Sequence, residues 1–239
     1  DHNLMWGRPL RSIFALFNGK KIAFQFDHLE SLDEIIIEQG LNSKNKKVKN
    51  FKDYNNLLSS NNIVLDHNER EKIILRKISS TSKSKDYKEI VNPKLLEEVV
   101  NIVEDPHILL VNFNKEYLKI PQEIVISTLE KHQRYFPIFD SRGRLTNNFF
   151  VVANKKDGKK FISIGNKRVV EARLADAKFF WDKDRSKNLI KQIANLKTVM
   201  FYEKLGTIYD KTQRIRKLAA MLSDDLNLNK EKIQIAASI

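Results

Sequence analysis

Short apolar runs dominate the first part of the chain, and helical stripes dominate its end. The first pair of runs, residues 13–17 and 21–26, flanks the dipeptide Asn18-Gly19. Because Asn and Gly both tolerate the positive φ angles of a tight hairpin turn, this pattern predicts a β-hairpin. Three apolar side chains of the second run would then share one face: Ile22, Phe24 and Phe26.

Residues 39–60 are polar, rich in lysine and asparagine, and without clear periodicity. We therefore expect a surface loop here, with at most a short helix around residues 54–58. Asp66 predicts a helix start, since aspartate is a favoured N-cap, and the apolar spacing carries that helix to about Ile78. Residues 79–88 are again polar and are expected to form a linker.

Helices and strands alternate in the middle of the chain. Asn92 followed by Pro93 predicts a helix start, because asparagine caps the first turn and proline lacks only an amide that would stay unbonded there. Pro121 opens a second helix that is expected to run to about Lys131. Three apolar runs are expected to be strands: residues 108–111, 135–139 and 149–152.

After Gly165 the apolar period changes to that of a helix. One stripe at helical spacing is formed by Val170, Leu174, Ala177 and Trp181. Further helical patterns follow, so residues 186–239 are expected to be almost wholly helical. The prediction is an α+β fold, in which residues 1–184 form a mixed sheet-and-helix module and residues 185–239 begin a helical domain. Because the chain begins abruptly and ends inside an amphipathic pattern, we expect it to be part of a longer protein.

Composition and charge narrow the possible functions. The chain has 239 residues and no cysteine, which excludes disulfides, thiolate zinc sites and cysteine nucleophiles. No apolar stretch approaches the roughly 20 residues of a membrane-spanning helix, so a cytoplasmic protein without a membrane partner is expected. The net charge is +13, and residues 159–217 carry 16 basic and 6 acidic side chains. This clustering favours a nucleic acid as partner, with lysine-rich compositional drift as the alternative.

The sequence contains no recognisable pattern of catalytic or cofactor-binding residues. It has neither a glycine-rich phosphate loop nor a dinucleotide-binding glycine pattern, and no two of its five histidines lie three or four residues apart. We therefore predict no catalytic residue and no metal site in this chain.

The junction between the helix after Pro121 and the next strand is one candidate for nucleic-acid binding. His132, Arg134 and Tyr135 lie there, and such side chains can stack on and hydrogen-bond an unpaired base. The alternative is that His132 caps the helix and Tyr135 begins the strand.

The basic helix after Gly165 is the second candidate. Gly165-Asn166 is expected to open it, and free amides at a helix start favour an anion. The candidate phosphate contacts on this helix are Lys167, Arg168, Arg173, Lys178 and Arg185. The alternative is a solvated helix balanced by the ion pairs Lys167–Glu171 and Lys178–Asp182.

Several collinear motifs resemble those of one family. They are Trp6-Gly7-Arg8-Pro9, Val103-Glu104-Asp105-Pro106, His-Gln-Arg-Tyr-Phe at 132–136, Gly165-Asn166, Ala-Arg-Leu-Ala-Asp-Ala at 172–177 and Lys-Leu-Gly-Thr-Ile-Tyr-Asp-Lys at 204–211. In this order they resemble the beta subunit of the two-subunit bacterial glycyl-tRNA synthetase. Two features depart from that family: Asp105 replaces an aromatic residue, and residues 36–45 lack the Gly-His-Arg-Phe element.

The resemblance implies a subunit that supports aminoacylation. In that family the beta subunit joins an alpha subunit in an α2β2 tetramer and binds tRNA(Gly), while the alpha subunit uses ATP, glycine and magnesium. It implies that residues 1–184 are similar to the B3/B4 domain of the phenylalanyl-tRNA synthetase beta subunit, and that residues 185–239 begin an HD-like helical domain. The chain itself is then expected to bind no cofactor. Two other functions stay open: a hydrolytic editing module of the B3/B4 type, and a stand-alone RNA-binding module.

Overall fold

The computed structural model describes residues 10–39 and 42–238, so the motif Trp6-Gly7-Arg8-Pro9 lies outside the described residues. The first part contains short strands: β1 (Ile13–Phe14), β2 (Leu16–Phe17), β3 (Lys20–Lys21), β4 (Gln25–Phe26), β5 (Leu29–Leu32), β6 (Glu34–Gln39) and β7 (Asn42–Lys47). Strands β2 and β3 pair across a turn in which Asn18 and Gly19 have φ angles of 47° and 76°. The hairpin predicted from this dipeptide is therefore confirmed.

The second strand of that hairpin is shorter than predicted. The buried hydroxyl of Ser31 donates to the carbonyl of Ile22 at 2.7 Å and accepts the amide of Phe24 at 3.2 Å. These bonds tie the main chain beyond β3 to β5, which itself pairs with β1 and β4. Ile22 and Phe24 are exposed, so the apolar face expected on one continuous strand is not formed.

The polar loop expected at residues 39–60 is wrong. Strand β7 pairs antiparallel with β6, and helix α1 spans Phe51–Ser60. Asn50 caps this helix by accepting the Asp53 amide at 2.9 Å. All six residues of β7 are polar, so the strand has no apolar pattern by which it could be predicted. The hydrogen bonds that hold it come from the neighbouring strand β6.

Helix α2 spans His67–Lys85 and runs through the linker expected at residues 79–88, which is therefore wrong. As predicted, Asp66 caps its start by accepting a main-chain amide at 2.8 Å. No glycine or proline interrupts the helix, and Ile78 and Ser82 on its inner face are buried. The helix ends only at Asp86, which has the left-handed conformation typical of a helix terminus.

An antiparallel four-stranded sheet forms the centre of the fold. Its strands are β8 (Tyr87–Lys88), β9 (His107–Asn112), β10 (Phe136–Asp140) and β11 (Leu145–Ala153), in the order β8-β10-β11-β9. The three strands predicted in this region are confirmed, and β9 lies at an edge of the sheet.

Helices cover both faces of this sheet. On one face α2 and α3 (Pro93–Ile102) enclose a core that includes Ile74, Ile78, Leu96, Val99, Phe136 and Phe150. On the other face α4 (Gln122–Ser127) and α5 (Phe161–Arg185) enclose a core that includes Val111, Val125, Leu129, Phe149, Val170 and Leu174. Asn92 caps α3 as predicted, accepting the Lys94 amide at 3.1 Å. Each large side chain buried in this way contributes about 1.5–3 kcal/mol, so the second core fixes α5 against the sheet.

The last part of the chain is helical except for a small hairpin. Its α-helices are α6 (Leu189–Gln192), α7 (Ile208–Asp225) and α8 (Lys230–Ala236), and a 3-10 helix, Ile193–Thr198, follows α6. Strands β12 (Met200–Tyr202) and β13 (Gly206–Thr207) pair antiparallel, so the expectation of an almost wholly helical end is wrong here. Gly206 has a φ of 77°, which closes the hairpin immediately before α7. The predicted α+β class is confirmed.

Candidate nucleic-acid interface

Helix α5 begins at Phe161, so the anion site predicted at Gly165-Asn166 is wrong. The carboxylate of Asp157 already accepts the amides of Ile162 at 3.0 Å and Ser163 at 2.8 Å, and the Ser163 hydroxyl at 2.5 Å. Although desolvation opposes it, hydrogen bonding from Ser163 and Ile162 holds the pKa of the Asp157 carboxyl below its ordinary value. An acidic side chain of the chain itself therefore occupies the helix N-terminus.

Three of the five predicted cations line one flank of α5. At 100° per residue, Lys167, Lys178 and Arg185 lie within about 20° of one another around the helix axis. Both predicted ion pairs are confirmed: Lys167 Nζ lies 3.9 Å from Glu171, and Lys178 Nζ lies 2.5 Å from Asp182. The hydrogen bond to Asp182, and then its charge, raise the pKa of Lys178. We call Lys167, Lys178 and Arg185 the basic flank.

The other two cations, Arg168 and Arg173, are exposed on different faces of the same helix. Arg168 lies about 100° away from Lys167, and Arg173 lies about 120° away on the far side of the apolar stripe. Val170 and Leu174 in that stripe are fully buried against the sheet. The helix therefore does not bring all five cations to one surface.

The ring of Tyr135 is not available to stack on a base. It is 8% exposed, and it stacks on Phe149 with ring centroids 5.3 Å apart. Its hydroxyl donates to the side-chain carbonyl of Asn166 on α5, and burial raises the pKa of the Tyr135 phenol. Strand β10 begins at Phe136, so Tyr135 lies immediately before the strand and does not begin it, and its ring packs in the second core.

His132 and Arg134 are exposed at the same corner. His132 ends a π-helical turn, Thr128–His132, and Arg134 reverses the chain in the left-handed region with a φ of 60°. The Arg134 guanidinium lies 2.5 Å from Glu98 on α3. The guanidinium is thus accessible, but a carboxylate already pairs with it.

The sequence patterns missed a cationic loop that follows β11. Asn154 at its start accepts the amides of Glu104 and Asp105 at 2.8 and 2.9 Å, and Asp157 in its middle caps α5. Between and beyond these anchors the loop exposes Lys155, Lys156, Lys159 and Lys160. The sequence feature that could have located this loop is the run Asn-Lys-Lys-Asp-Gly-Lys-Lys at residues 154–160, in which lysines surround the aspartate that caps α5.

Two further kinds of feature are absent from residues 10–39 and 42–238. No group of three His, Asp or Glu side chains lies close enough there to hold a metal ion. No helix in this part of the chain combines the length and the apolar character needed to cross a bilayer.

Comparison with known proteins gives a consistent result. The family described as glycyl-tRNA synthetase beta subunit matches residues 1–239. The chain is 40% identical over 231 residues to the glycine–tRNA ligase beta subunit of Clostridioides difficile, and 34% identical over 240 residues to that of Thermodesulfovibrio yellowstonii. It is 34% identical over 235 residues to that of Listeria monocytogenes. These alignments cover 96%, 100% and 98% of this chain but 33%, 35% and 34% of the relatives, so the chain spans about a third of their length.

Proposed function

Because the chain belongs to the glycyl-tRNA synthetase beta-subunit family, we propose that it supports the ATP-dependent attachment of glycine to tRNA(Gly). The family match along all of residues 1–239 is the observation that carries this proposal. In this proposal, an alpha subunit joins the beta subunit in an α2β2 tetramer and carries the chemistry, using ATP, glycine and magnesium. The chain acts in the cytoplasm and supplies RNA contacts rather than a reaction centre.

We further infer a correspondence for each part of the fold. Residues 1–184 would be a B3/B4-like module, and the central sheet with helices on both faces supports this. Residues 185–239 would begin an HD-like helical domain, and the helices α6, α7 and α8 support that part.

The basic flank of α5 is the surface best suited to a nucleic-acid backbone among the predicted cations. From Lys167 to Arg185 it extends about 27 Å at 1.5 Å per residue, enough to follow several phosphates of one strand. Arg168 and Arg173 lie off this line and are expected to contribute less. His132 and Arg134 offer a separate contact, which would require a phosphate to displace Glu98 from the guanidinium.

Salt-dependent binding tests the basic flank. In the double variant Lys167→Gln with Lys178→Gln, glutamine keeps the helix propensity and adds no repulsion against neighbouring carboxylates. The control is Lys20→Gln with Lys21→Gln, which removes two adjacent exposed lysines from the first hairpin. Titration with tRNA(Gly) at several salt concentrations should show weaker binding for the flank variant. Its plot of log affinity against log salt should be flatter by about 0.7–0.9 for each phosphate that the variant no longer neutralises.

The outcomes separate the parts of the proposal. Equal affinity and slope in wild type, control and flank variant would remove the basic flank from the RNA surface and favour compositional drift as the source of the charge. Glycine-dependent pyrophosphate exchange by the purified chain alone would contradict the assignment of the chemistry to the alpha subunit.

A further inference from the structure

A groove distinct from the basic flank runs between helix α2 and the outer edge of strand β9. Its volume is about 570 Å³. Aliphatic side chains form its floor: Ile73, Pro106, Ile108 and Leu109. Cationic side chains from two elements also line it: Arg76 and Lys77 from α2, and Lys156 from the cationic loop.

The outer edge of β9 keeps unpaired peptide groups. Phe113 donates its amide to the carbonyl of Asn147 at 3.0 Å, which places the odd-numbered residues of β9 in the hydrogen-bonded pairs with β11. By the alternation of an antiparallel ladder, the peptide groups of Ile108 and Leu110 then point away from β11. Beyond the end of β9, the amide of Asn114 on the same side of the chain donates to the Glu171 carboxylate at 3.0 Å. Among the strands of the described residues, only β11 pairs with β9.

Between residues 108 and 111 this edge lacks the usual devices that block the addition of another strand, whereas at Asn112 the Lys167 ammonium lies 3.5 Å from the side-chain oxygen. Residues 108–111 are Ile-Leu-Leu-Val, with no charge or proline, and the register with β11 is continuous. Leu110 is 38% exposed. Proteins normally protect such an edge with a charge, a proline, a bulge or a covering segment, so a covering segment is expected here.

The charges around the groove select an anionic occupant. Arg76, Lys77 and Lys156 are all exposed cations. The acidic residue that lines the groove is Asp157, whose carboxylate binds the amides at the start of α5. The lining contains no Phe, Tyr or Trp ring on which a base could stack, and its imidazole, that of His107, is held by the Asp105 carboxylate at 3.0 Å. The groove is therefore poorly suited to single-stranded RNA.

We propose that this groove binds an extended acidic peptide segment of a partner protein, which adds to the sheet as a fifth strand beside β9. The outward peptide groups of Ile108 and Leu110 supply the main-chain hydrogen bonds. Alternate side chains of the peptide pack on the aliphatic floor, and its carboxylates reach Arg76, Lys77 and Lys156. The proposal concerns a surface other than the basic flank and does not depend on RNA binding there.

Fluorescent peptides can test this binding mode on the 239-residue chain. The probe alternates valine and glutamate and has blocked ends. A second peptide replaces glutamate with lysine, and a third carries N-methyl groups on alternate amides, which removes donors for a ladder. A single-stranded oligoadenylate serves as the RNA probe. We expect measurable binding of the valine–glutamate peptide only.

Two kinds of variant locate the site. Leu110→Pro removes an outward amide, and proline is tolerated on an edge strand. Arg76→Glu with Lys77→Glu reverses two exposed rim charges without touching the core. Each should weaken binding of the valine–glutamate peptide by about tenfold or more, whereas the control Lys52→Glu with Lys94→Glu should leave it nearly unchanged. Circular dichroism of every variant establishes that the fold is retained.

Three results would overturn the proposal. Equal binding of the N-methylated peptide would exclude strand addition. Binding of oligoadenylate, weakened by the same charge reversal, would reassign the groove to RNA. Absence of binding by the valine–glutamate peptide, or binding insensitive to both kinds of variant, would leave the edge of β9 without this role.

Discussion

Replacement of Leu174 by alanine tests whether α5 is held against the sheet as described. Leu174 is fully buried, in the same core as Phe149 and Val170. Burial of a leucine contributes about 1.5–3 kcal/mol, and a cavity left behind adds to the cost. Leu→Ala changes in rigid cores therefore cost about 2.7–5 kcal/mol. Because whole domains are stable by only about 5–15 kcal/mol, Leu174→Ala should remove a large part of the free energy of unfolding.

The matched control is Leu218→Ala on α7, where the leucine is 60% exposed. Urea unfolding followed by circular dichroism gives both free energies, and thermal unfolding should show a decrease of roughly 5–20 °C for Leu174→Ala. The control should change the free energy of unfolding by less than about 1 kcal/mol. Similar losses in the two variants would refute the packing of α5 on the sheet, and with it the orientation of the basic flank.

Two further predictions concern single local interactions. Asp157 has a lowered pKa in the folded chain, so its ionised carboxylate stabilises the fold at neutral pH. This stabilisation is complete above the ordinary aspartate pKa of about 4, and it is lost as the pH falls through the lower folded-state pKa. The gap in unfolding free energy between wild type and Asp157→Asn should therefore narrow in acid, and a gap independent of pH would contradict the capping role. Gly19→Ala should lower the unfolding free energy by about 1–2 kcal/mol, because Gly19 has a φ of 76° and the added Cβ would lie 3.4 Å from the Lys49 carbonyl oxygen. Unchanged urea unfolding would show that the hairpin turn tolerates a side chain.

The features that the sequence predicted correctly depend on neighbouring residues. Asn18-Gly19 needs only its own backbone freedom to form a turn, and Asp66 and Asn92 bond amides within three residues of themselves. The apolar stripe that contains Leu174 has the spacing of one helix face, so it predicts both the helix and its buried side. Such signals survive in any tertiary context, which explains why they located the hairpin and the helix starts.

The features that the sequence did not predict depend on distant partners. Strand β7 exists because β6 supplies its hydrogen bonds, and no pattern within its lysines and asparagines announces this. Gly165 suggests a helix start by residue type, but the start is set earlier by the Asp157 carboxylate.

The candidate site shows the same division between residue type and position. The sequence identified cations of suitable chemistry, and helical spacing alone separates Arg168 and Arg173 from the basic flank. The burial of Tyr135 follows from its contact with Phe149, fourteen residues later in sequence on a neighbouring strand. No local pattern could have revealed that contact.

The carboxylates beside the basic flank decide which of its cations can turn to a phosphate. Asp182 is more than half exposed, and its partner in the structure is the Lys178 ammonium. Exposed ion pairs are among the weakest interactions in proteins, so a phosphate can replace Asp182 at little cost. Glu171 differs, because its carboxylate also bonds the Asn114 amide and is held beside Lys167 by the main chain. A phosphate approaching Lys167 would therefore meet a fixed negative charge, and the charge of Glu116, whose carboxylate accepts from the Asn114 side chain at 3.0 Å, also acts at Lys178. Arg185 instead lies over the ring of Trp181, with its guanidinium carbon 5.8 Å from the ring centroid. We accordingly expect the C-terminal end of the flank, at Arg185, to make the closer contact with RNA.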